Sequence, residues 1–335
     1  MALLKVENLI KDFGGLRAND DISFELAAGE LLGLIGPNGA GKTTLFNCIA
    51  GKYPVTAGRI VFDDEDITAL KAHEVARRGL ARTFQVYAAA GDLTVRENVM
   101  VGCFMRTASR RQARERADAI LEDLNLAATA AHYVSELPVA AQKQVTMATA
   151  LGSRPKLLLL DEPLGALDKK LREHTQFELM NIQDKLGITF VVVTHDQEEA
   201  MTLSTRIAVM NEGRFLQVGA PKEIYEYPRS RFVADFIGTI NTFEGSVTSI
   251  GEELITVECP DIPVPVTALK GDGIDVGQQV CIAVRPEKIF ISLEEPGDEE
   301  TISMPAVVDD FGYLGNRSLY RIRLSNGHLI QVSRQ

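Results

Sequence analysis

Nine consecutive residues, Gly36-Pro37-Asn38-Gly39-Ala40-Gly41-Lys42-Thr43-Thr44, have the types and spacing for phosphate chemistry. They match the pattern G-x-x-x-x-G-K-[ST], in which glycines let backbone N–H groups converge on phosphate oxygens. Lys42 is then placed to reach the β- and γ-phosphates of ATP, and the Thr43 hydroxyl to ligate Mg²⁺. The flanks have the form this chemistry needs. The apolar run Leu31-Leu32-Gly33-Leu34-Ile35 reads as a strand entering the loop, and Leu45-Phe46-Asn47-Cys48-Ile49-Ala50 as a helix whose positive end faces the same anion. A chance glycine turn before a lysine would not bring both flanks with it.

Four further positions are candidates for the same reaction. Asp161 and Glu162 follow Leu157-Leu158-Leu159-Leu160, a run apolar enough for a strand buried on both faces, and such parallel strands carry functional groups at their carboxyl ends. Asp161 is expected in the Mg²⁺ shell, and Glu162 is expected to polarise the water that attacks the γ-phosphate. His195 ends a second apolar run, Ile188 to Val193, and is assigned a γ-phosphate contact. Gln85 follows Leu80-Ala81-Arg82-Thr83-Phe84 and precedes a helical segment, which suits a sensor of Mg²⁺ and the attacking water. Phe13, upstream, has two readings that stay open: a stacking platform for the purine, or a core aromatic.

These groups need strands and helices to hold them. Residues 3–35 alternate apolar and polar with turns at Gly14-Gly15 and Gly29, predicting short strands. A strand is expected over 57–62, a helix over 72–78, and an amphipathic helix over 108–124 with Ala113, Ala117, Ile120, Leu121 and Leu124 on one stripe. The arginines of that helix, balanced by Glu115, Asp118, Glu122 and Asp123, read as a solvated face. A helix over 171–186 closes at Gly187, and Asn211-Glu212-Gly213-Arg214 reads as a hairpin turn. From Phe243 onward short β-rich segments alternate with Gly, Pro and acidic turns, so the domain boundary is placed near 238–242.

The bulk composition narrows the function further. With 335 residues, 45% hydrophobic and 24% charged, the chain can bury more than one core. A net charge of -11 argues against nucleic acid as a partner, since phosphate backbones call for clustered Lys and Arg. The four cysteines lack metal-ligand spacing and read as reduced thiols. No run approaches the ~20 apolar residues that cross a bilayer, and the first residues do not form a signal peptide. Work at a membrane would require docking onto something embedded in it.

Taken together, the phosphate loop, Gln85, Asp161-Glu162, Leu164-Gly165-Ala166-Leu167-Asp168 and Thr194-His195-Asp196 resemble the ATP-binding subunits of ABC transporters. The resemblance implies an α/β, RecA-like P-loop NTPase core at 1–238 with an inserted α-helical subdomain at about 86–150. A small all-β, OB-like accessory domain is implied at 239–335, on the strength of Val284-Arg285-Pro286-Glu287-Lys288-Ile289. It also implies two ATPs sandwiched between two such subunits, with Asp168 communicating across the dimer, and Gln85 coupling to transmembrane permease subunits served by a solute-binding protein. The expected location is the cytoplasmic face of the inner membrane. Residues 1 to about 144 look like branched-chain amino-acid or urea importer ATPases, and residues from about 156 like putrescine and spermidine importer ATPases. The second resemblance makes polyamine import the favoured function.

The chain departs from that family at two places. Its signature, Leu-Ser-Gly-Gly-Gln, donates a hydroxyl and backbone N–H groups to the partner's γ-phosphate. Here those places hold Leu137-Pro138-Val139-Ala140-Ala141. Proline has neither hydroxyl nor N–H, and the side chains of Val139 and Ala140 obstruct the approach that glycines permit. Losing one donor to a transition-state charge costs roughly 3 kcal/mol, so ATP binding with slow hydrolysis is expected. The β domain also ends at Val332-Ser333-Arg334-Gln335, shorter than in the polyamine-type relatives, and its last strands are expected to be missing or frayed.

Overall fold

The computed structural model describes residues 2–83, 89–165, 169–271, 273–294 and 302–334. Two compact units divide the chain, Met1–Tyr227 and Pro228–Gln335.

In the first unit, β1 (Ala2–Phe13) and β2 (Leu16–Ala27) form a long hairpin, and β3 (Leu31–Ile35) leads into α1 (Lys42–Ile49). Next come β4 (Ala57–Phe62), β5 (Glu65–Asp66), α2 (Ala72–Arg78) and β6 (Leu80–Arg82). An inserted helical layer follows: α3 (Val95–Cys103), α4 (Arg110–Asp123) and α5 (Val139–Gly152). The chain then alternates as β7 (Leu157–Asp161), α6 (Lys169–Leu186), β8 (Thr189–Val193) and α7 (Gln197–Leu203). The unit closes with β9 (Arg206–Asn211), β10 (Arg214–Gly219) and α8 (Pro221–Glu226).

The central sheet has the order β10-β9-β3-β8-β7-β6, parallel except at the β9–β10 hairpin. Its strands are apolar without a break because both faces are covered. Leu158 and Leu160 of β7, with Phe190 and Val192 of β8, enter one core with α3 to α6. Leu157, Leu159, Val191 and Val193 enter another with α1 and the β1–β2–β4 sheet. Successive side chains of a strand point to opposite faces, so one leucine run serves two cores. The expected stripe of α4 is also buried, Ala113, Ala117 and Leu121 completely.

The strands over 3–35 are longer than their turn residues suggested. Register shifts between β1 and β2 let each run for 12 residues. The β9–β10 turn is the predicted hairpin, with Glu212 and Gly213 at φ of 47° and 80°.

In the second unit a short helix, α9 (Arg231–Phe236), precedes seven strands among the described residues. The strands β11 (Asn241–Ile250), β12 (Leu254–Glu258), β13 (Val266–Leu269) and β14 (Gln279–Val284) form one antiparallel sheet in the order β13-β12-β11-β14. The strands β15 (Ala306–Tyr313), β16 (Ser318–Leu324) and β17 (Leu329–Arg334) form another. Phe243, Val247 and Val257 of the first sheet share a core with Ile322, Ile330 and Val332 of the second.

Arg285, 5% exposed, donates from Nη1 to the carbonyls of Ala234, Gly238 and Thr239. Those bonds tie the end of α9 and the residues just after it to the β strands of the second unit, which spans Pro228–Gln335. The last strand is not frayed: β17 pairs with β16 from Leu329 to Arg334.

Candidate nucleotide-binding site

The site is built where the carboxyl ends of β3, β7 and β8 meet. Leaving β3, Gly36 takes φ of 156°, and a Cβ there would come within 2.1 Å of the Met210 carbonyl oxygen. Gly41 takes φ of 102°, and a Cβ would meet the Ala18 carbonyl oxygen at 2.3 Å. Only glycine fits at either place. The loop is buttressed from outside: Asn19 Nδ2 donates to the Gly41 carbonyl at 3.1 Å and Gly213 N–H to the Ala40 carbonyl at 3.0 Å. Gly41 also serves as the N-cap of α1 and, having no side chain, leaves the first N–H groups of that helix without a side-chain cap. Uncapped N–H groups on a glycine-lined concavity make an anion site.

Lys42 arches back over this loop. Its Nζ donates to the carbonyls of Gly36 at 2.6 Å and Pro37 at 2.9 Å. Burial lowers its pKa, while Glu162 and Asp161 act in the opposite sense. A desolvated ammonium held beside two carboxylates is poised to trade carbonyls for phosphate oxygens. Thr43, in the first turn of α1, is exposed.

Asp161, at the end of β7, is 3% exposed, and its backbone N–H donates to Thr83 Oγ1 at 3.3 Å. Its Oδ2 accepts from Arg82 Nη2 at 2.8 Å, and Arg82 Nη1 reaches Asn47 Oδ1 at 2.5 Å. Glu162 adopts φ of 48°, a left-handed conformation that a non-glycine residue holds at a cost of about 1 kcal/mol or more. Its N–H donates to the Val193 carbonyl at 2.9 Å, which fixes the turn against β8. The structure brings Glu162 and His195 together, with 3.3 Å between Oε1 and Nδ1. Behind them Lys143 of α5 donates to the carbonyls of Glu162, at 3.3 Å, and Gly165.

Hydroxyl and carboxylate oxygens at Thr43 and Asp161 are hard donors suited to Mg²⁺, which takes one or two carboxylates and completes its shell with phosphate and water. Phe13 is 43% exposed, so it is not a core aromatic. Tyr53 meets it edge-on at 5.4 Å and Lys11 Nζ lies 4.7 Å from its ring centroid. Gln85 and Asp168 lie outside the described residues.

Sequence reasoning passed over Asn19, Arg82, Thr83 and Lys143, whose roles depend on strand and helix neighbours far along the chain. At the expected signature position, Pro138 is the N-cap of α5 with φ of -58°, and no side chain caps the helix.

The ABC transporter family model matches residues 19–165, and the TOBE domain model matches residues 282–335. The spermidine/putrescine import ATP-binding protein PotA of Chromobacterium violaceum is 41% identical over 99% of this chain and 91% of its own length. The putrescine transport ATP-binding protein PotG of Escherichia coli is 37% identical over 99% of this chain and 87% of its own. Among solved structures, an ATP-binding cassette of an ABC transporter, MJ1267 in its ADP conformation, superposes with a TM-score of 0.63 at 29% identity. It covers 71% of this chain and all of that one. These sequence relatives align across both halves, so the expected kinship of residues 1–144 with branched-chain amino-acid or urea importer ATPases finds no support in them. The end-to-end similarity takes in both the residues of the glycine-cradled anion site under Lys42 and the TOBE domain, and the chain belongs to the ATP-binding subunits of ABC transporters, which are ATPases.

Proposed function

We propose that this chain hydrolyses Mg²⁺-ATP to power import of a polyamine, putrescine or spermidine, through an ABC transporter. The observation that carries the solute class is the match to PotA across 99% of the chain, accessory domain included. In this reading the N–H groups of residues 36–44 and the Lys42 ammonium hold the phosphates, and Phe13 offers its ring to the adenine. Thr43 and Asp161 would hold Mg²⁺, which would supply positive charge against the phosphates. Glu162 orients and accepts a proton from the attacking water, with His195, 3.3 Å from its carboxylate, steadying it and reaching the γ-phosphate.

Gln85 senses the Mg²⁺ site and couples it to permease subunits, and Asp168 reads the opposite subunit. No helix among the described residues is long and apolar enough to cross a membrane. In this reading the subunit works as a peripheral dimer on a permease at the cytoplasmic face, fed by a solute-binding protein.

A second reading rests on the start of α5. Pro138 caps it without a hydroxyl, and Val139 and Ala140 stand where close backbone approach is wanted. On this reading the chain binds ATP but needs a partner ATPase with an intact signature. Steady-state ATP turnover against protein concentration, with Glu162→Gln as blank, separates the two. A Glu162-dependent rate rising faster than linearly supports a working homodimer, with Glu162→Gln at least ~100-fold slower and still binding ATP. A rate equal to the blank leaves only the partner-dependent reading. Putrescine uptake by the reconstituted transporter tests the solute.

A further inference from the structure

A cavity of about 710 Å³ opens where the C-terminal ends of α3 and α5 meet α4 and the end of α6. It lies beside Pro155, before β7, so the length of that strand, about 17 Å, separates it from Asp161. Three guanidiniums line it, Arg106, Arg116 and Arg154. Arg106 donates from Nε to the Ser153 carbonyl at 2.6 Å and from Nη1 to the Arg77 carbonyl at 3.0 Å. Arg116 donates from Nε to Gly152 at 3.2 Å and from Nη2 to Leu151 at 3.3 Å. The bonds to Leu151, Gly152 and Ser153 satisfy carbonyls that the end of α5 leaves open, and the bond to Arg77 reaches the last turn of α2.

They do not use up the donors. Nη2 of Arg106, Nη1 of Arg116 and the whole Arg154 guanidinium have no protein acceptor among the described residues. Of the two carboxylates that share the lining, Asp123 pairs with Lys185, and Glu115 is an exposed side chain whose Oε1 lies 3.8 Å from Arg111 Nε. Burial, and then the neighbouring Arg154, push the Arg116 pKa below the usual arginine value, as expected of a cation held beside a cation. Arg154 moreover holds φ of 50° just past the end of α5, a place where glycine is the least strained residue.

We propose that this cavity binds a small multivalent phosphate-bearing anion, clamped by Arg106, Arg116 and Arg154 at the end of α5. Planar guanidinium forks match phosphate oxygens in pairs, and the volume lies in the range of small-molecule sites. The clamp closes the end of the helix that, farther along, carries Lys143, whose ammonium donates to the Glu162 and Gly165 carbonyls. Were the arginines only caps for α5, Arg154 would contribute nothing to ligand binding.

The test uses the full chain saturated with a non-hydrolysable ATP analogue and Mg²⁺, so that the phosphate loop is filled. Inorganic pyrophosphate is titrated in by calorimetry, and co-sedimentation with phosphatidic acid vesicles is measured in parallel. One pyrophosphate per chain is expected, weakened at least tenfold by Arg154→Gly and by Arg106→Gln. Arg154→Gly relieves the backbone at that position, so its thermal midpoint should not fall. Vesicle retention lost in the same variants identifies a lipid headgroup as the source of the phosphate, and pyrophosphate binding without retention identifies a soluble one. Neither binding nor retention, or binding unchanged in both variants, overturns the proposal.

Discussion

Glu199 is the residue whose ionisation folding changes most plainly. It lies on α7, 2% exposed, with Oε2 accepting from Thr194 Oγ1 at 2.6 Å and Oε1 without a partner. Burial first, then Asp196, raise its pKa to about 7 from 4.5, while the Thr194 bond, Arg172 and His195 act in the opposite sense. The native state therefore binds the proton more tightly than the unfolded chain does. This weakens folding as pH rises from about 4.5 to about 7, by about 3 kcal/mol once both states are ionised. Glu199→Gln keeps an acceptor for Thr194 and removes the charge. Its thermal midpoint should exceed that of the parent at pH 8, with the gain fading toward pH 5. An equal difference at both pH values would show that Glu199 is not buried ionised.

At the scale of elements, α3 and α5 cross so closely that backbone touches backbone. A Cβ on Gly102 would come within 1.8 Å of the Thr149 carbonyl oxygen, and one on Gly152 within 2.8 Å of the Cys103 nitrogen. Gly102→Ala must push the helices apart and should cost roughly 1–3 kcal/mol, read by chemical denaturation. The start of α5 makes a different prediction. Pro138→Ser adds an N-cap hydroxyl worth about 1 kcal/mol but loses the proline's restraint on the unfolded chain, of similar size. Stability should then hardly change while ATP turnover rises, since a donor is returned to the signature position. Unchanged turnover in Pro138→Ser combined with Val139→Gly and Ala140→Gly would remove the signature as the cause of slow hydrolysis.

For the whole molecule, each unit has hydrophobic packing of its own, and the residues assigned to the phosphates all belong to the first unit. Mg²⁺-ATP at a hundred times its dissociation constant should stabilise the first unit by about 2.7 kcal/mol, seen as an upward shift of its unfolding transition. Lys42→Ala, which deletes the ammonium over the phosphate loop, should reduce that shift. A shift of equal size in the variant would place the nucleotide elsewhere.

Much of this molecule was legible from residue order alone. The phosphate loop, the leucine run ending in Asp161-Glu162, the stripe of α4 and the β9–β10 turn are local patterns, written within one strand, one turn or a few helical turns. Geometry that neighbours in sequence impose on one another can be read from sequence. Tertiary structure alone decided which distant partners each group would meet. Arg82 reaches Asp161 across 79 positions because β6 and β7 pair in register, and Asn19 supports Gly41 across 22. Arg285 gathers carbonyls from within and just after α9, Ala234 and Gly238, some fifty positions before it. The arginines of the 710 Å³ cavity converge because α3 and α5 cross at their C-terminal ends and α4 packs beside them. The motif states what chemistry is available, but charges and hydrogen bonds find partners only after hydrophobic burial has brought remote segments within a few ångströms.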